Sequence, residues 1–279
     1  MKPPRMRSAL WLAVLMLGSV RAQVTLTTDL VGYWNFDEGS GTTIYDLSGN
    51  GNNGTLVNGA SAWTTGHFGS ALYFPGVTGT GSTRVEIPNS ASLQITSAIT
   101  VAAWVRVDNF TSDAPILAKE GPNSGDLSYW LGTYGPSGAG HFGMLLDNNG
   151  SQPWDADHRN EGSVPTGWVH LAATWDGTTM INYINGTAVS SGLTFASTIN
   201  VSPEFLAIGV NSGYYNHGNA TAFTGAIDDL YLYSRALSAS EIGQLMVSPI
   251  PEPATTTAMM GVLACAGAGW IWRRRARAV

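Results

Sequence analysis

The chain has 279 residues, 34 of them glycine, with 11% charged side chains and a formal net charge of −6. Four of its 13 Lys and Arg precede Gln23 and four follow Trp272, so residues 23–250 keep only Arg84, Arg106, Lys119, Arg159 and Arg235 against 18 acidic side chains, a net charge near −13. Such a surface repels phosphate backbones and excludes nucleic acid as a partner, it suits divalent cations, and the single cysteine, Cys265, excludes an internal disulfide.

At the N-terminus, Lys2, Arg5 and Arg7 precede an apolar run at 9–18, and Val20-Arg21-Ala22 follows. This is the layout of a secretory signal peptide, so residues 1–22 are expected to be removed after Ala22 by the signal peptidase of the secretion machinery. Residues 23–250 then form the exported domain, long enough to bury one substantial core. No amphipathic helical pattern longer than about two turns occurs in it. Strand-like stretches follow one another instead, at 30–36, 71–74, 84–87, 98–107, 128–134, 141–146, 168–175, 179–184, 205–210 and 223–233. In the clearest of them, Ile99, Val101, Ala103, Val105 and Val107 alternate with Thr100, Ala102, Trp104 and Arg106, a period of two. Asp176-Gly177 and Asn185-Gly186 are pairs that favour tight hairpin turns. Ser238 stands three residues before Glu241, the capping-box spacing, which predicts one short helix that buries Ile242, Leu245 and Met246. Many short strands with regular punctuation mean an all-β sandwich or barrel.

The chain closes on Pro251-Glu252-Pro253, an uncharged run at 254–272, and the cluster Arg273, Arg274, Arg275 and Arg277. The run is long enough for a transmembrane helix, and the arginines hold its end on the cytoplasmic side. These three parts in this order resemble the PEP-CTERM sorting signal of Gram-negative bacteria. The resemblance implies that residues 251–279 are an address. An exosortase, a membrane protease-transpeptidase, would cut near the motif and pass the protein from a transient inner-membrane intermediate to the cell surface or extracellular matrix.

Three further stretches, GYWNFDEGSGTTIYDLSGNGNNGTL from Gly32, GWVHLAATWDGTTMINYINGTAV from Gly167 and FTGAIDDLYLYSRALSASEI from Phe223, resemble laminin-G-like, or concanavalin A-like, jelly-roll domains. The resemblance covers roughly residues 30–246 and implies two antiparallel sheets in a single sandwich. It also implies one structural calcium ion, held by Asp228 on the last strand with Asp46, Asn50 and Glu38 from the N-terminal loops; hard oxygen ligands and glycine-rich backbone suit that ion. The alternative for Asp46 and Asn50 is that they only hydrogen-bond their own turn. Asp229, next to Asp228, is expected on the opposite face of the strand.

Hydrolases of this architecture place two Glu and one Asp at near-alternate positions of one strand. Here Glu86, Glu120, Glu161 and Glu204 are isolated, and Asp155 with Asp157 has no neighbouring Glu at strand spacing. The five histidines show no helical zinc spacing, and there is no Gly-x-Ser-x-Gly elbow. If Trp154-Asp155-Ala156-Asp157-His158-Arg159 is extended, Asp155 and Asp157 share a face and could form a sugar-binding or acid–base group. Trp130 and Trp154 are the aromatic candidates for stacking on a sugar ring. The sequence thus points to an exported, non-catalytic module that binds polysaccharide or another surface protein, with two alternatives: a carbohydrate-active hydrolase with an unrecognised acid–base pair, or a purely structural matrix protein.

Overall fold

Alternating inward and outward side chains, rich in β-branched and aromatic residues, extend the chain into short strands. The computed structural model describes residues 26–59, 62–110, 113–121, 127–135, 140–147, 156–157, 162–189, 192–194, 198–211, 221–247 and 249–250. In chain order the strands among them are β1 (Leu30–Trp34), β2 (Thr43–Ile44), β3 (Gly54–Val57), β4 (Trp63–Thr65), β5 (Ser70–Pro75), β6 (Arg84–Ile87), β7 (Ile99–Val107), β8 (Ala114–Glu120), β9 (Leu127–Tyr134), β10 (His141–Leu146), β11 (Ala156–Asp157), β12 (Trp168–Trp175), β13 (Thr179–Ile184), β14 (Thr187–Ala188), β15 (Leu193–Thr194), β16 (Leu206–Ile208) and β17 (Thr224–Tyr233), followed by helix α1 (Ala239–Val247).

The strands form two antiparallel sheets. One has nine strands in the order β14-β13-β12-β7-β17-β5-β4, with β1 also on β17 and β15 also on β13; the other has eight, β11-β10-β9-β8-β16-β6-β3-β2. The inward residues of both, among them Trp34, Phe74, Val101, Val105, Leu131, Phe142, Trp175, Ile208 and Leu232, make one continuous core. Each fully buried large aliphatic or aromatic side chain of this kind stabilises the fold by about 1.5–3 kcal/mol. The chain is therefore an all-β two-sheet antiparallel sandwich with one short helix, as the sequence predicts; the apolar run at 254–272 lies outside the described residues.

The ten expected strands are present, and two local features, β8 and the Asp176-Gly177 connection, depart from expectation. β8 lacks alternation because all seven of its residues are buried; Pro115 sits where its pairing with β9 shifts register, as suits a residue with no N–H for a ladder. Asn185 (φ 47°) and Gly186 (φ 73°) form the expected tight turn between β13 and β14, with both residues at positive φ as a type I′ turn requires. The Asp176-Gly177 connection is wider: Trp175 pairs with Met180, and Asp176 Oδ1 accepts from the N–H of Thr178 (2.8 Å) and of Thr179 (2.7 Å). Its side chain thus organises a longer turn than a two-residue hairpin.

The helix starts as its capping box dictates. Glu241 N–H donates to Ser238 Oγ (3.3 Å) and Ser238 N–H to Glu241 Oε2 (2.8 Å), satisfying two otherwise orphan donors. Ile242 and Leu245 are buried.

Candidate functional site

An open cleft of about 270 Å³ lies beside β5 of the nine-stranded sheet, lined by Asn58, Gly59, Ala62, Tyr73, Pro75 and Thr83. Asn58 follows β3 at φ 54°, a conformation Asn tolerates because its short side chain bonds locally. Its Nδ2 donates to the carbonyls of Thr80 (2.9 Å) and Ser82 (3.2 Å), and its own carbonyl accepts from Thr83 Oγ1 (3.0 Å). On the other wall, Tyr73 N–H donates to the Ala62 carbonyl (2.6 Å). The polar groups are thus fixed before any ligand arrives, which lowers the cost of ordering them on binding. An aromatic ring, an amide and a hydroxyl on a preformed concavity suit a small polar ligand with an apolar face. Among the described residues the lining carries no Asp, Glu, His or Cys.

The second constellation is a carboxyl pair on β17. Asp228 pairs with Trp104 and Tyr231 with Ala102, so β17 carries one residue more than β7 over this interval, a β-bulge. Asp229 occupies it at φ 45°. A bulge re-aims side chains, which corrects the expectation of opposite faces: Asp228 and Asp229 are both buried, and the charge of Asp229 raises the pKa of Asp228. Asp228 Oδ2 accepts from the N–H of His67 (2.8 Å) and of Phe68 (3.0 Å). Gly66 is required beside it, since a Cβ there would stand 2.5 Å from that oxygen. Asp229 Oδ1 accepts from the Tyr33 hydroxyl (2.7 Å). Burial, then Asp229, push the Asp228 carboxyl up to about 8; burial also pushes Asp229 up to about 7, against the Tyr33 hydrogen bond that lowers it, with exposed Asp37 raising it further. Tyr33 stays protonated, its hydroxyl raised above the ordinary range by burial and by Tyr231 and Asp229.

These carboxyls fit a cation in one respect. Asp228 Oδ1, Asp229 Oδ2 and Glu38 Oε2 are buried and find no hydrogen-bond partner among the described residues, and burial raises the pKa of Glu38 as well. Asp46 and Asn50 are engaged by the loop itself. Asp46 accepts from the N–H groups of Tyr33, Ser48 and Asn52 and from Ser48 Oγ; Asn50 Nδ2 donates to the carbonyls of Leu30 and Val31. Both side chains hold the loop after β2 against β1. Among the described residues no three of His, Cys, Asp and Glu converge on one point suited to a metal ion.

The sugar-stacking candidates fare differently. Trp130 is 2% exposed, packs with Ala118, Leu127 and Leu145, and donates from Nε1 to Asn211 Oδ1 (3.2 Å). Its indole lies so close over Gly132 that a Cβ there would sit 2.5 Å from the ring. It is a packing residue and offers no face to a ligand, which corrects the expectation from sequence. Asp157 pairs through its backbone with Leu145, which pairs with Trp130, so it stands two strands from Trp130 in one row. Trp154, Asp155, Pro251, Glu252, Pro253, Arg273, Arg274 and Arg275 lie outside the described residues.

Sequence reasoning did not single out Tyr73, Asn58 or Thr83. Nor did it find the layer around Trp104, where exposed His67 stacks on the indole (3.5 Å, 17°) and buried His170 meets it edge-on (5.4 Å, 69°). Burial, then His67, push His170 down to about 3, so it is neutral.

A family model described as the concanavalin A-like lectin/glucanases superfamily (Laminin_G_3) matches residues 79–243. No curated protein sequence matches the chain significantly. Among solved structures, domain 4 of AbnA, a GH43 extracellular arabinanase from Geobacillus stearothermophilus in complex with arabinotriose, is similar at 26% identity and TM-score 0.58, over 78% of this chain and 98% of that domain. The binding domain of Paraclostridial Mosquitocidal Protein 1 is similar at 15% identity and TM-score 0.55, over 79% of this chain and 52% of that one. Trypanosoma rangeli sialidase in complex with sialic acid is similar at 19% and TM-score 0.55, over 88% of this chain and 40% of the sialidase. The chain thus spans about half or less of the last two, and at those identities they speak for the fold alone.

Proposed function

The chain belongs to the concanavalin A-like lectin/glucanases superfamily, and from that membership we propose that its sandwich is an exported, non-catalytic carbohydrate-binding module whose ligand site is the Tyr73 cleft. The observation that carries this reading is the preformed concavity itself: a tyrosine wall for a sugar ring, with the amide of Asn58 and the hydroxyl of Thr83 fixed beside it. The AbnA domain, which holds arabinotriose and is covered almost end to end, supports a short neutral glycan as the ligand class. A lining without ionisable acids among the described residues supports binding over hydrolysis, because glycoside cleavage needs two carboxyls about the scissile bond.

Two further parts of the reading rest on the sequence motifs. The bulge carboxyls Asp228 and Asp229, with backbone oxygens, would hold one structural calcium ion, whose charge would neutralise them when bound. Residues 251–279 would be the exosortase-processed sorting tail that delivers the module to the surface or matrix, where polysaccharide or a surface protein is its partner.

The test is a glycan array probed with the full chain, arabinan and other neutral polysaccharides included, together with an assay for released reducing sugar. Binding that Tyr73→Ala removes, without sugar release, is the expected result. Hydrolysis that disappears in Asp155→Asn or Asp157→Asn would replace this reading with the hydrolase, and an empty array would leave the structural matrix protein.

A further inference from the structure

Tyr73 belongs to a cross-strand row as well as to the cleft. On the nine-stranded sheet, Tyr73 of β5 pairs with Ala226 of β17, Ala226 with Arg106 of β7, and Arg106 with Trp168 of β12. Directly paired residues project to the same face of a sheet. Their chain neighbours Leu72, Phe74, Ile227, Val105 and Val169 point into the core, so this row of four projects outward. Strands lie about 4.8 Å apart, which puts the backbone of Trp168 about 14 Å from that of Tyr73, three strand spacings away.

The relief of the row matters as much as its length. Tyr73, Arg106 and Trp168 are half-buried, while Ala226 is fully buried and lies beneath the surface of the row. The Arg106 guanidinium lies 5.8 Å from the Trp168 ring centroid, a distance at which cation and ring attract. The same guanidinium donates from Nε to Asp108 Oδ1 (3.0 Å) and from a terminal nitrogen to Asp108 Oδ2 (3.4 Å), and both side chains are about one-third exposed. His67 meets the Trp168 ring edge-on at 6.4 Å, limiting the directions in which the indole can turn.

We propose that the row Tyr73–Ala226–Arg106–Trp168 continues the cleft across the sheet, and that the two form one binding track for a linear neutral oligosaccharide about three residues long. This rests on the carbohydrate reading of the cleft. Tyr73 and Trp168 are the end platforms on which sugar rings stack, and half-buried Arg106 lies between them. The Arg106–Asp108 pair presents donors and acceptors side by side, the pattern that vicinal hydroxyls match. The track favours a neutral chain because Asp108 already offsets the charge of Arg106, and because a domain with 18 acidic and five basic side chains repels uronates. It favours an extended chain because its anchors span four strands in a straight row, a length that one sugar ring cannot bridge.

The experiment is calorimetry of the full-length protein with arabino-oligosaccharides of one to four residues, for the wild type, Tyr73→Ala, Trp168→Ala and Trp168→Phe. A single stacked ring contributes about 0.5–1.5 kcal/mol beyond its burial, so affinity should rise about tenfold or more from the monosaccharide to the trisaccharide and then level off. Trp168→Ala should abolish that rise, Trp168→Phe should keep most of it, and Tyr73→Ala should weaken every length. If Tyr73→Ala weakens the trisaccharide and Trp168→Ala does not, the track is overturned while the cleft stands. If the wild type binds none of these sugars, both fall. Circular dichroism of each variant guards against a folding defect, which the Phe variant would share only if bulk at this position were what mattered.

Discussion

Replacing Asp228 by Asn removes a charge and keeps the shape, so it separates titration from packing. Burial, then Asp229, push the Asp228 carboxyl from 3.8 up to about 8. A carboxyl that resists ionisation in the folded state holds its proton more tightly there than in the unfolded chain. The stability this allows is complete below the unfolded pKa near 4 and is lost as pH rises towards the folded pKa near 8. A gap of about four units, at about 1.36 kcal/mol per unit, sets a ceiling on the order of 5 kcal/mol. That ceiling belongs to Asp228 and Asp229 jointly, because they titrate as a coupled pair. About three of those units, about 4 kcal/mol, lie between pH 5 and pH 8; for a domain of this size each kcal/mol moves Tm by about 2–4 °C, so in chelator the wild-type Tm should fall over that window by up to about 8–16 °C. Asp228→Asn should flatten most of that slope and melt above the wild type at pH 8. Calcium at about 100 times its Kd should return about 2.7 kcal/mol to the wild type and much less to the variant. Scanning calorimetry from pH 5 to pH 9, with calcium and with chelator, reads all of this. Parallel curves for wild type and variant in chelator would refute the buried-carboxyl argument, and equal wild-type curves with calcium and with chelator would refute the ion. Asp229→Asn is not an independent control, because the bulge couples the two residues.

Asp46→Ala strips the acceptors from three backbone N–H groups and one hydroxyl, and should cost about 2–3 kcal/mol by denaturant titration, to the same extent with and without calcium. Glu241→Ala removes the reciprocal cap of α1 and should cost about 1 kcal/mol. Burial alone would raise the pKa of Glu241, but its bonds from Arg235 and Ser238 hold it below the ordinary value, so this contribution is present above the unfolded pKa and fades as pH falls through the folded one; the wild-type and variant stability curves should converge in acid. Replacing Glu252, or deleting Arg273, Arg274, Arg275 and Arg277, should leave the protein in the inner membrane of a host that carries the sorting protease; cell fractionation that finds normal release would dismiss the sorting tail.

The sandwich was legible because a half-buried strand writes its orientation into the sequence with a period of two. β7 and β12 carry that pattern, and their capped turns and the α1 capping box add local chemistry that needs no tertiary context. β8 was hidden for the complementary reason: all seven residues are buried, so Ala-Pro-Ile-Leu-Ala-Lys-Glu has no polar face to display. Trp130 misled because an aromatic on an outward strand position reads the same whether it greets solvent or lies covered against Gly132. Asp46 misled because an acid in a glycine-rich loop serves a metal ion or its own turn with the same residue types, and only its four donors decide between them.

The bulge and the outward row were beyond the sequence for a different reason, since both are properties of register between distant segments. Asp228-Asp229 inside an apolar strand signals that something unusual happens on β17, but whether the two carboxyls part or stay together depends on how many residues of β17 face two residues of β7. One extra residue, taken up by Asp229 at positive φ, keeps both acids buried. Likewise Tyr73, Arg106, Ala226 and Trp168 span 154 positions of sequence, and nothing about any one of them marks a binding residue. Three antiparallel pairings turn them into a single line with aromatic ends and an ion pair between. Where function depends on residues meeting across strands, the unit to inspect is the cross-strand row, and it becomes visible only once every pairing has been fixed.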